Sequence, residues 1–266
     1  MIRRVIFACV LIAASLSAEA KAAVASPSAS APVVVTMKKT VAKAPRTISQ
    51  QSAVFAGMAL AFNSGYCNGC CLGGGAVSGA NKLAVAAVTG AWTNSALGLA
   101  SGNMQLFQTQ IKALASYIGG SCIAGLMIPR PKAFQIADST GPTFLVGAAL
   151  LYAASVFAGK TPNAMTCFYL AAMANGLQNS VSSVSTGNLC RTAHFSGCSS
   201  DMGTFLGQYL RGNTENLFKL KSFIMIASSF WIGGFVSFFV TQQMASASLL
   251  FSAAAHFLIG MHLIFN

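Results

Sequence analysis

Few side chains in this sequence can do chemistry, and most of those lie inside apolar runs. Asn68, Thr89 and Asn94 fall in one stretch, and Gln178, Asn179, Arg191, His194, Ser196 and Asp201 in another. Asp201 is the only acidic residue near a segment predicted to be embedded in a membrane. An ionisable group at depth is costly, so it normally faces a partner or a water-filled cavity. Arg191 and His194 lie just upstream and could pair with it, making a substrate or proton site. The competing reading is a solvated loop carboxylate near the headgroups. The amides of Asn68, Gln178 and Asn179 either hydrogen-bond across helices or line a polar pathway, and both readings stay open. Thr89, Asn94 and Ser196 are candidates for the same pathway.

Cysteine chemistry is the next possibility. Cys67, Cys70 and Cys71 stand at i, i+3 and i+4, which puts three thiols on one helix face. Such a face could bind a soft metal. No second C-x-x-C accompanies it and zinc would need a fourth ligand, so close helix packing is the expected role. No metal and no cofactor is expected. Cys190 and His194 are four apart, a spacing that permits a thiol–imidazole pair on a helix. The chain lacks a P-loop, a dinucleotide fingerprint, H-E-x-x-H and G-x-S-x-G. It is not expected to be an enzyme.

The elements that must position these residues repeat. One stretch carries Gly65-Tyr66-Cys67-Asn68, then Thr89-Gly90, Thr93-Asn94 and Gly102-Asn103. A second carries Gly176-Leu177-Gln178-Asn179, then Ser196-Gly197, Ser200-Asp201 and Gly212-Asn213. Each opens on an apolar segment, crosses a polar Gly/Thr/Ser stretch and continues into two more apolar segments. Three spans per copy force the second copy to enter the bilayer from the opposite side, as in transport folds. The expected fold is all-α: a polytopic transmembrane bundle of about six spans, built as two inverted three-span repeats. The predicted spans run roughly 53–74, 110–128, 143–158, 164–184, 222–241 and 245–265. The Thr/Ser-Gly segments, 83–100 and 192–210, are read as broken or re-entrant helices buried in protein.

Composition supports a bilayer as solvent. Hydrophobic residues make up 55% of the 266 and charged residues 8%, against about 25% charged in a soluble domain. The formal charge of +12 is concentrated before position 47 and in loops, without a basic stripe bearing aromatics. Nucleic acid is therefore excluded as a partner, leaving the lipid bilayer and a small solute. Residues 1–20 read as a signal-like peptide: Arg3-Arg4, an apolar run from Val5 to Leu16, and Ala18-Glu19-Ala20. Residues 21–51 form a basic segment without Asp or Glu, either disordered or transit-like. The transmembrane domain is expected over 52–266, with halves 53–159 and 164–265. The expected location is an integral membrane of the secretory pathway or a plastid, after leader cleavage. Lys/Arg counts in the loops put both ends of the domain on the inner side.

Several of these residues resemble a known family. Gly176-Leu177-Gln178-Asn179, then Arg191-Thr192-Ala193-His194-Phe195-Ser196-Gly197, then Asp201 and Gly203, are similar to a motif of the YoaK-like family, domain of unknown function 1275. Ala61-Phe62, Gly65-Tyr66, Thr89-Gly90 and Asn94 are similar to its earlier motif. Asn68 and Ala87 stand where the family usually has Asp and His, which puts any proton-carrying role of those positions in doubt here. The resemblance covers residues 53–265 and implies a multi-pass membrane protein with a transporter-like role. The function expected is a permease for a small polar or anionic solute. The alternative is a non-transporting membrane scaffold or assembly factor.

Overall fold

The computed structural model describes residues 46–74, 82–160 and 165–266. The signal-like peptide, residues 21–45 of the basic segment, Gly75 and the Thr161-Pro162-Asn163 turn lie outside the described residues.

Helix boundaries follow local chemistry. Helix α1 (Gln50–Leu72) starts at Ser49, whose Oγ accepts from the Ser52 amide at 3.0 Å, and stops at Gly73-Gly74. Helix α2 (Thr89–Ala100) and α3 (Met104–Met127) are separated by Gly102, which takes φ +71°. Asn103 then caps α3 by accepting from Leu106 N at 3.0 Å. Pro129 and Pro131 end that helix, since neither can continue the amide ladder. Helix α4 (Thr140–Lys160) carries Pro142 in its first turn, and α5 (Met165–Ser185) ends just before Gly187 at φ +58°. Helix α6 (Phe195–Leu210) ends before Gly212 at φ +89°. Helices α7 (Leu217–Met244) and α8 (Leu249–Phe265) flank a 3-10 turn, Ala245–Ser248. The predicted sixth span starts four residues early, because Ala245–Ser248 is used to reverse the chain.

The predicted helix over 83–100 is shortened most. Asn68 Oδ1 accepts from both Val85 N (2.9 Å) and Ala86 N (3.0 Å), so those amides leave the helical ladder. The 12 residues that remain in α2 reach about 18 Å, too short for an apolar layer of about 30 Å.

Helix α1 packs along α7, and α3 along α5; α4 lies between α5 and α8; α2 rests on α3, and α6 on α7. The closest approaches are made through glycine. A Cβ at Gly65 would overlap the Phe230 carbonyl, and one at Gly176 would overlap the Tyr117 carbonyl. Returning the contact, Gly233 meets the Phe62 carbonyl and Gly120 the Met173 carbonyl. Helices α4 and α8 touch at Gly141 and Gly260, each facing the other's carbonyl.

Both ends of the described chain lie at one end of the bundle. Two short antiparallel strands, β1 (Arg46–Thr47) and β2 (Gln135–Ile136), pair beside the α3–α4 loop. Arg46 Nη2 donates to Leu263 O in the last turn of α8 (3.2 Å), and Phe134 N to Ser185 O at the end of α5 (2.7 Å). The opposite end joins the α7–α8 turn to α1 and α4: Tyr66 Oη donates to Ser248 O, and Ser155 Oγ to Ser246 O. The segments that the Lys/Arg count assigns to one side do therefore meet. The strands are the only non-helical regular structure among the described residues.

Two segments, Thr140–Gly159 and Leu217–Phe265, are long and apolar enough to cross a membrane. Large apolar side chains also stay uncovered on the outer faces. On α7 these include Trp231, Ile232, Phe235, Phe238 and Phe239, and on α8 Phe251, Phe257 and Leu258. Water would penalise so large an apolar face, and lipid would not. Membrane association follows from these features.

The glycine contacts yield a stability test. Gly65→Val and Gly176→Val are each expected to lower stability by about 1–3 kcal/mol through overpacking. Gly125→Ala, with nothing within 4 Å of the added methyl, should leave it unchanged. Denaturation in mixed detergent micelles reads both.

Candidate functional site

A cluster of deeply buried polar side chains lies where α1, α5 and α8 meet. Gln178 is fully buried and lies within hydrogen-bonding reach of four groups. Its Oε1 accepts from Asn63 Nδ2 (2.9 Å), and its Nε2 lies within reach of Leu60 O (2.9 Å), Ser64 Oγ (2.8 Å) and Thr192 Oγ1 (3.3 Å). Ser64 Oγ donates to Asn175 Oδ1 (3.1 Å), and Asn175 Nδ2 bonds to Ala171 O (2.9 Å) and Cys67 Sγ (3.3 Å). Thr192 also meets Ser182 at 3.2 Å, which ties in the loop that leads to α6.

His256 closes the network from α8. It is 2% exposed, and its Nδ1 faces Asn63 Nδ2 (3.2 Å) and Ser252 O (3.0 Å). Its Nε2 is buried without a hydrogen-bond partner. The ring lies against Phe144 (centroids 5.6 Å apart) and Gly147 of α4. Helical sequence spacing explains the arrangement. Ser64 and Cys67 share one face of α1, and Asn175, Gln178 and Ser182 share one face of α5.

The sequence candidates are distributed differently from this centre. Gln178 alone sits within it. Asn68 is buried on α1 and holds the backbone entering α2, as described above. Asn179 does the same for α6, its Oδ1 accepting from Ala193 N at 3.0 Å. Thr89 and Asn94 are exposed on α2, and Arg191, His194, Ser196 and Asp201 are exposed around the start of α6. Arg191 and Asp201 share a small pocket of about 60 Å³ with Asn188, Cys198 and Phe223. Burial pushes the Cys198 thiol up to about 11; the Asp201 carboxylate adds to that shift and Arg191 opposes it. These groups do not converge with Asn68, Thr89 and Asn94. Those two sets flank opposite ends of α1, since Cys190 Sγ bonds to Ala53 O and Leu83 N to Cys71 O.

Cys67, Cys70 and Cys71 are buried in the core with Cys167. Among the described residues no three His, Cys, Asp or Glu side chains come together to hold a metal. Cys190 is buried, with burial pushing its thiol up to about 11, whereas His194 is exposed and folds over Gly197. They form no pair.

Sequence reasoning missed Asn63, Ser64, Asn175, Ser182, Thr192 and His256. A signal was present for one of them. His256 is one of two imidazoles within the apolar Leu217–Phe265 run, the other, His262, lying in the last turn of α8, and such a residue is expensive in lipid unless it faces the interior.

The fold and site thus define a helical bundle of membrane type, apolar outside and hydrogen-bonded at its centre. A family model described as a protein of unknown function (DUF1275) matches residues 56–262, and the chain belongs to that family. No curated protein and no solved structure matches it.

The network's role in holding the bundle is testable. Gln178→Leu is expected to cost about 1–3 kcal/mol by stranding buried partners. Thr89→Ala, Asn94→Ala and Ser196→Ala, at exposed positions, should each stay within about 0.5 kcal/mol. Thermal unfolding in detergent checks this.

Proposed function

We propose that the chain is a multi-pass membrane permease with two inverted halves, carrying a small polar or anionic solute through the centre where α1, α5 and α8 meet. The reading rests chiefly on the reciprocity of the glycine contacts. Exchanging the halves turns Gly65 on Phe230 into Gly176 on Tyr117, and Gly233 on Phe62 into Gly120 on Met173. It also turns the α1–α7 pair into α5–α3, and α2 on α3 into α6 on α7. Asn68 and Asn179 exchange as anchors, and Gly102 and Gly212 as left-handed stops. A twofold axis in the membrane plane, running through the α4–α8 and α1–α5 contacts, accounts for all of these.

On this reading α1, α3, α4, α5, α7 and α8 cross the bilayer. Helices α2 and α6 lie at opposite faces as the short Thr/Ser-Gly elements. The solute route passes the Asn63–Gln178–His256 network, with the Arg191–Asp201 pocket at one mouth. The chain does no covalent chemistry, and its leader would direct it to the secretory pathway or a plastid membrane.

A second reading, a non-transporting scaffold, is favoured by the tightness of the glycine crossings. Uptake by proteoliposomes separates the two. The purified protein is expected to accumulate at least one labelled solute from a panel of small carboxylates, inorganic anions and polar metabolites. Protein-free vesicles should accumulate none. Uptake that never exceeds those controls would favour the scaffold.

A further inference from the structure

The orphaned ring nitrogen of His256 has a consequence for what the centre binds. Nδ1 sits between a donor, Asn63 Nδ2 at 3.2 Å, and an acceptor, Ser252 O at 3.0 Å. It can keep only one of them. Unprotonated, it accepts from Asn63; protonated, it donates to Ser252 O, and Asn63 must turn away. Asn63 Nδ2 also donates to Gln178 Oε1, so the change passes from α8 through α1 to α5. The network therefore has two hydrogen-bonding states, set by whether Nδ1 carries hydrogen, and an imidazolium can adopt only the second.

The second nitrogen decides what else is required. An imidazolium carries hydrogens on both nitrogens. Nε2 has no acceptor. The wall it faces is Phe144 and Gly147 of α4, so close that a Cβ at Gly147 would come within 3.2 Å of Nε2 and 2.6 Å of Cδ2. A charged, unpaired imidazolium there would carry a prohibitive desolvation cost. Protonation thus requires α4 to move off α8 and an acceptor to enter. Around the ring, α1 contributes Asn63, α4 contributes Phe144 and Gly147, and α8 itself contributes Ser252. None of these bears a charge, and Gln178 on α5 is reached only through Asn63. The Cys67 thiol, one turn along α1 from Asn63, is bonded to Asn175. The described carboxylates, Asp138, Asp201 and Glu215, are all exposed, so among the described residues no negative charge lines the ring and an incoming anion would supply it.

We propose that His256 is a joint site for a proton and a small oxyanion, its Nε2–H bonding an anionic oxygen in the gap opened between α4 and α8. This rests on the permease reading and deepens it: the cargo is an oxyanion and its companion is a proton. A proton from water adds to the imidazole to give imidazolium, the oxyanion offsets its charge, and both leave together. No bond of the solute is made or broken.

Two measurements test the proposal. The first is uptake of labelled acetate, lactate, phosphate and sulfate into proteoliposomes with and without an inward proton gradient. In wild type the gradient should stimulate uptake about tenfold, a typical coupling. His256→Gln should retain anion exchange at equal pH and lose the stimulation. A variant stimulated as strongly as wild type overturns the coupling and leaves the permease standing. The second needs neither transport nor a stable His256 variant. In a His194→Gln, His262→Gln background, His256 is the one imidazole, and its ¹⁵N signals are followed in nanodiscs from pH 8 to pH 5. The expected result is protonation that moves to higher pH when phosphate is added, even if no vesicle transports anything. A ring that titrates identically with and without phosphate, acetate, lactate and sulfate, or that stays neutral throughout, overturns the proposal.

Discussion

Backbone contact between helices is the constraint on which the rest depends. At Gly65, Gly120, Gly176 and Gly233 the partner helix's carbonyl occupies the space of a side chain. In lipid, burying apolar surface between helices gains little, because the tails are as apolar as leucine. Close van der Waals fit and interhelical hydrogen bonds hold the bundle instead. This is why large phenylalanines are spent on the outside of α7 and α8 while small residues are kept inside. It also fixes which helices pair, since a helix can come this close only where its neighbour presents glycine or a bare carbonyl.

Close approach has a second effect. It brings Asn63, Ser64, Asn175 and Gln178 within hydrogen-bonding range across α1 and α5. Polar groups that would otherwise be costly at that depth satisfy one another. The network is saturated apart from a few atoms, and His256 Nε2 is the one on an ionisable group. The imidazole nitrogen left without a partner lies against Gly147, in the seam between α4 and α8.

Much of the architecture was legible in the chain. Six apolar runs, two polar Thr/Ser-Gly stretches and the paired Gly-x-x-Asn motifs predicted six long helices and two short elements, and these were found with ends shifted by up to about six residues. Prolines 129 and 131, Gly102 and Gly212 stand at helix ends, because backbone limits act locally. The candidate site was read less well. Asn68 and Asn179 are conspicuous as amides in apolar helices, yet each anchors its own half's following loop. Asp201 is conspicuous as an isolated acid, yet it is exposed beside Arg191. Conspicuous polarity reports that a group needs partners, and not where the partners are.

The sequence alone determined the helical class, the apolar exterior and the approximate helix ends, because each depends on residue type and short-range spacing. The tertiary structure decided which polar residues share a centre. Asn63 and Gln178 are 115 positions apart and Asn63 and His256 are 193 apart. Only the glycine-mediated crossings set the distances between their helices, and no pattern within a single helix encodes those distances.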